Sequence, residues 1–228
     1  MYKTMEFNNV FLQGNFMNEE KKLDTSAQDL VAEVESGGRN PSNPLTANFI
    51  LYLALVWSLF QLYVSSPLVL EISPWMNGDV VKRIHLIFAS FLAYLSYLPF
   101  KKSPKHYIPI TDWIMGILMI LVIAYLIYSQ VWDGDAFEMR LGVPNQLDLI
   151  TSIIGMVLLL EATRRSLGPP LMIVAILALT YAYFGGGGYG GASLNKIVSH
   201  MWITTEGAFG IALGVSASMV FLFVLFGS

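Results

Sequence analysis

The sequence predicts an all-α membrane protein, and two observations carry that prediction. Of the 228 residues, 55% are hydrophobic and only 13% are Asp, Glu, Lys or Arg, about half the charge of an ordinary soluble domain. Four stretches of at least 20 residues, Asn40–Leu70, Trp113–Trp132, Ser166–Asn195 and Gly207–Ser228, contain no charged residue at all. About 20 apolar residues in a helix cross a hydrocarbon core roughly 30 Å thick. Lipid offers no partners to backbone N–H and C=O groups, so each crossing is expected as a helix. A soluble all-helical core this poor in charge would leave wide apolar patches in water.

The first 44 residues read as a polar tail. Thr25-Ser26-Ala27-Gln28-Asp29 has the composition of a helix start, Leu30, Val31 and Val34 follow on one face, and Gly37-Gly38 stops the run. A short helix on the membrane surface or on a partner is expected there. The tail is too polar for a signal peptide, so the first span is expected to act as its own uncleaved insertion signal.

That first span runs from about Leu45 to Val64. Pro67 and Pro74 predict a non-helical connection, and a second span follows from about Ile84 to Phe100, closed by Pro99 and Lys101, Lys102 and Lys105. Asp112 stands where an N-cap is expected before the third span, Trp113–Val131. Trp113 and Trp132 lie at its ends, where indoles favour the interface. An acidic loop with Asp133, Asp135 and Glu138 comes next. The fourth span is weaker, because only 12 uncharged residues separate Asp148 from Glu161. One or both carboxyls must then sit at headgroup depth or against protein. Arg164-Arg165 ends the span.

Gly168-Pro169-Pro170 opens a fifth apolar segment to about Phe184, since proline suits the first helical turn. The glycine run 185–191 reads as a linker, without the spacing of a phosphate loop. In 194–206 the residues Leu194, Ile197, Val198, Met201 and Trp202 share one helical face, so this segment is expected in the membrane interface. Gly207–Ser228 is expected as a last apolar helix.

Lysine and arginine set the orientation. With the tail in the cytoplasm, alternation places nine basic residues inside and four outside, the four being Lys82, Arg83, Arg140 and Lys196. The N-terminus is therefore expected inside.

No catalytic constellation emerges, and the chain does not read as an enzyme. His85, His106 and His200 are far apart in sequence and stand in no metal-ligand spacing. Ser216 and Ser218 read as small packing residues of an apolar helix. With a net charge of -3 and no basic block beyond Lys101-Lys102, nucleic acid is not an expected partner. There is no cysteine, which removes disulfides and thiolate chemistry. The interface and ion-pair candidates are Glu161 with Arg164 and Arg165, at i,i+3 and i,i+4 on one helix, and Glu206. The first group reads as a helix-end ion pair at the cytoplasmic interface. Glu206 either caps the last helix or faces an aqueous path; both readings are open. No buried charge pair is expected within the first four spans.

Several stretches together resemble a known family: GGRNPS at 37–42, LTANFILYLALVWSLFQLYVSSPL at 45–68, LLLEATRRSLGPPL at 158–171, LNKIVSHMWITTEGAFGIALGVSAS at 194–218 and MVFLFVLFG at 219–227. They are similar to the N-terminal part of the fused permease of tripartite ATP-independent periplasmic (TRAP) transporters, TAXI-type. The resemblance implies a multi-pass protein of the bacterial inner membrane. A small four-helix domain at 45–165 would follow the tail at 1–44, and 166–228 would be the truncated start of a large transport domain. It also implies a periplasmic solute-binding protein as partner, the remainder of the transport domain, and uptake driven by a Na+ or H+ gradient, with no cofactor bound by this chain. The family's ion- and substrate-binding hairpins would lie beyond Ser228, so substrate-binding residues are not expected within these residues and the chain alone is not expected to transport. The other reading is a stand-alone membrane scaffold or assembly subunit.

Overall fold

Helix α4, Ile110–Trp132, is the most apolar of the long helices. Its buried residues Gly116, Met119, Val122, Ile123 and Leu126 recur at spacings of three and four, which places them on one face. The computed structural model describes residues 38–39, 41–100, 103–185 and 191–227. The expected surface helix in the tail, Lys101-Lys102 and the centre of the glycine run lie outside the described residues. Asn40–Ser228 forms one compact unit.

Three of the long helices start in the same way. Asn43 accepts the Leu45 N–H at the head of α1, Pro44–Ser65, where Pro44 supplies a first residue that needs no donor partner. Asn77 accepts from the Asp79 and Val80 amides at the head of α3, Gly78–Ser96. Asn145 and Asp148 form a reciprocal capping box at the head of α6, Gln146–Leu167. Between α1 and α3 the chain makes a one-turn helix, α2, Leu68–Ile72, where a non-helical link was expected. Pro74 stops it.

Helix α3 packs on α1, α4 and α6 and is the most buried of the four. It begins six residues before the predicted second span and ends four residues before its predicted close. Among the described residues, α1, α4 and α6 are long and apolar enough to cross a membrane. Helix α3 is not in that set, because Asp79, Lys82 and Arg83 occupy its first turns. Its stripe of Val80, Arg83, Leu86, Ser90 and Tyr94 faces protein instead.

The acidic loop folds into a short helix, α5, Gly134–Met139, whose Phe137 reaches the core. Gly168 then takes φ 87°, a left-handed conformation natural to glycine, and α7 runs Pro169–Phe184 as the paired prolines predict. No residue of α7 is buried. The amphipathic segment becomes α8, Leu194–Val198, a π turn at Ser199–Ile203, and turns to Gly210. Most of its apolar face is covered by protein: Ile197, Val198 and Trp202 are buried, Trp202 fully with its indole on Gly155 of α6, while Leu194 stays exposed. A Cβ on Gly155 would overlap that ring, so the missing side chain is what creates the seat. The last helix starts at Ile211, four residues later than expected. It comprises α9, Ile211–Val215, a π turn at Ser216–Val220, and α10, Phe221–Gly227. It packs on α1 and α3.

Candidate functional site

Two polar groups sit at opposite ends of α4. The first joins the predicted Glu161, Arg164 and Arg165 to a residue read otherwise from sequence. Arg165, in the last turn of α6, donates from Nη1 to Asp112 Oδ1 at 2.9 Å and from Nε to Glu161 Oε1 at 2.7 Å. Arg164 donates from Nε and Nη2 to the two Glu161 oxygens, both at 2.7 Å, and from Nη1 to the Pro99 carbonyl at 2.8 Å. The guanidinium of Arg165 also stacks 5.0 Å over Tyr94, and that of Arg164 lies 4.8 Å over Phe100. Among the described residues, two acids and two arginines cancel in charge while tying α4, α6 and the end of α3 together. The i,i+3 and i,i+4 pairing expected on α6 is therefore present.

Two expectations are corrected here. Asp112 is not an N-cap. Pro109 holds that position, and Asp112 is the third residue of α4 with its carboxylate inside the protein. The Arg165–Asp112 pair is buried on both sides, 2% and 1% exposed, whereas no buried charge pair was expected in this region. Asp112 follows the Pro109 break, so its place in sequence resembles a cap. Only packing against α6 reveals its partner.

The second group was not foreseen. Arg83 was counted among loop charges, yet it is 1% exposed on the inward stripe of α3. It donates to Gln130 Oε1 and, over longer paths of 3.4 Å, to the Leu126 and Ile203 carbonyls. Phe209 and Phe137 lie 5.4 and 5.7 Å from its guanidinium carbon. Among the described residues no carboxylate forms an ion pair with it, since Asp79 pairs with Lys82 at 2.9 Å. A positive charge with no ion pair of its own, feeling Asp79 only at longer range, is held here by carbonyl dipoles and aromatic faces. The signal that could have found it is the helical spacing of Val80, Arg83, Leu86 and Ser90. Beside it, buried Asp148 accepts from Tyr125 Oη at 2.8 Å and pairs with Arg140 at 3.5 Å. This meets the expectation that the carboxyl would lie against protein.

Because no acid is left behind, Arg83→Met is expected to change stability by less than about 1 kcal/mol, since removing a buried charge offsets lost hydrogen bonds. Arg83→Ala leaves a cavity and is expected to cost about 3 kcal/mol. Thermal unfolding of the two variants in nanodiscs distinguishes them, and equal losses would contradict this account.

Glu206 does not cap the last helix, which begins at Ile211 behind Gly210. Its exposed carboxylate instead meets Nδ1 of His200 at 3.0 Å. His85 is buried between the rings of Trp57 and Phe221. His106 is exposed. Ser218 donates to the Gly214 carbonyl within its own helix, and Ser216 opens the π turn. These groups contain no nucleophile hydrogen-bonded to a base. What the two polar groups provide is fixed geometry, since each ties three elements of the unit through buried charge. Comparison with known proteins adds no further constraint: no family model, no curated protein and no solved structure matches this chain.

Proposed function

We propose that this chain is the scaffold part of the membrane permease of a TRAP-type secondary transporter, which takes up a small organic solute delivered by a periplasmic binding protein. The observation that carries the proposal is the fate of the LEATRRSLGPP run, one of the more specific parts of the family resemblance. Its Glu161, Arg164 and Arg165 form the network that ties α6 to α3 and α4, and its Gly168-Pro169-Pro170 makes the turn into α7. A buried, charge-balanced clamp suits a body that stays fixed while another part moves. Packing of 194–203 onto α6 extends that fixed body past residue 165.

In this reading the chain lies in the bacterial inner membrane with its N-terminus in the cytoplasm, and an Na+ or H+ gradient drives symport. Arg39, Arg83 and Arg165 are buried; without them the basic count becomes seven inside against three outside, and the same orientation holds. Uptake of labelled carboxylates, amino acids and sugars, compared between cells with and without the gene, tests the assignment. One solute class is expected to lose gradient-dependent uptake. An unchanged panel, together with a chain that purifies without transport helices, would leave the stand-alone scaffold reading instead. Disulfides introduced between α3 and α4 are expected to leave uptake intact, because these helices do not move apart. Blocked uptake with those pairs would refute a fixed scaffold.

A further inference from the structure

Helix α1 contributes one buried residue, Gln61, and otherwise presents apolar side chains outward. A buried side-chain amide in such a helix is costly unless it finds a hydrogen-bond partner. Its Nε2 donates to the backbone carbonyl of Ala217, 156 residues away. Ala217 lies inside the π turn Ser216–Val220, where the Phe221 amide reaches back five residues to the Ser216 carbonyl. A π turn absorbs one extra residue and leaves one carbonyl without its usual helical donor. The Gln61 amide supplies a donor within that turn.

The register of the turn decides what lies below it. Upstream, Gly214 packs against Lys82, whose Cε would lie 3.3 Å from a Cβ at that position. Downstream, the Phe221 ring sits 5.0 Å from Trp57 and 6.1 Å from His85. If the turn relaxed to α while Gly214 stayed seated, the lower helix would turn by about 100° and advance about 1.5 Å. Val220 would then occupy the place of Phe221.

We propose that Gln61 is a latch that holds the last helix in its π register, so that this helix has two positions one residue apart. The relaxed position restores an unbroken ladder of helical hydrogen bonds but gives up the Gln61–Ala217 bond and the Phe221–Trp57–His85 packing. The latch gives the seam between α1, α3 and the last helix a way to rotate without unfolding. It stands independently of the transporter assignment.

The cysteine-free chain makes the register measurable. Trp57→Cys is combined in turn with Val220→Cys, Phe221→Cys and Leu222→Cys, and disulfide yield is measured in membranes. The maximum is expected at Phe221→Cys. Adding Gln61→Leu is expected to move the maximum to Val220→Cys, with the 221-to-220 ratio falling about fivefold or more, the population shift of one lost hydrogen bond. A maximum that stays at Phe221→Cys overturns the latch. Should Gln61→Leu abolish all crosslinking, deletion of Ser218 is added to it, which takes out the extra residue and closes the turn to α. Recovery of the Phe221→Cys crosslink in that double variant supports the latch, and failure to recover it overturns the latch.

Discussion

Replacing Arg165 by alanine is expected to destabilise the protein by about 3–5 kcal/mol, the cost of breaking a buried ion pair by removing one member. Asp112 is the residue left exposed to that cost, because its carboxylate is inside the protein. Glu161 suffers less, since Arg164 still engages both of its oxygens. Arg165→Lys is expected to fall between wild type and Arg165→Ala. One ammonium lacks the planar fork that lets the guanidinium serve Asp112 and Glu161 at once. The decisive control removes both charges. Arg165→Met combined with Asp112→Leu is expected to recover most of the loss, to within about 1–2 kcal/mol of wild type, because the desolvation cost disappears with the pair. Thermal unfolding in nanodiscs of a single lipid composition measures all four proteins. A double variant as unstable as Arg165→Ala would show that the helix ends depend on shape at this site and not on charge balance.

Most of the helices were legible from sequence, and the reasons differ from one to the next. Charge-free length announced α1 and α4, and Gly168-Pro169-Pro170 announced the start of α7. Helix α3 was misplaced because its first two turns carry Asp79, Lys82 and Arg83, which resemble loop residues when only hydropathy is counted. Its true start is marked by Asn77, whose side chain caps two amides. The Glu161–Arg164–Arg165 cluster was readable because its spacing is local to one helix. The pair with Asp112 crosses 53 positions and was not, for no local pattern joins α4 to α6. The segment 194–206 reads as amphipathic and as lying in the membrane interface, but protein covers most of its apolar face, with Ile197, Val198 and Trp202 buried. Amphipathicity says that a face seeks an apolar partner without saying whether lipid or protein provides it.

Trp202→Ala tests that last point, and is expected to cost about 3–5 kcal/mol, as for other fully buried large side chains. The indole fills the seat over Gly155 and stacks edge-on to Phe209 at 5.2 Å. Its loss therefore loosens Phe209, which is one wall of the Arg83 cage. Proteolysis within 204–210 is expected to accelerate in Trp202→Ala, since the segment loses its largest anchor. Trp202→Phe is expected to be milder, because the indole N–H has no hydrogen-bond partner to lose. Gly155→Ala attacks the same contact from the other side, by overpacking, at about 1–3 kcal/mol. Combining Gly155→Ala with Trp202→Phe should then cost less than the sum of the two, since the smaller ring makes room for the added methyl. Additive losses would mean that the two residues do not share one seat, and that some other contact holds the segment against α6.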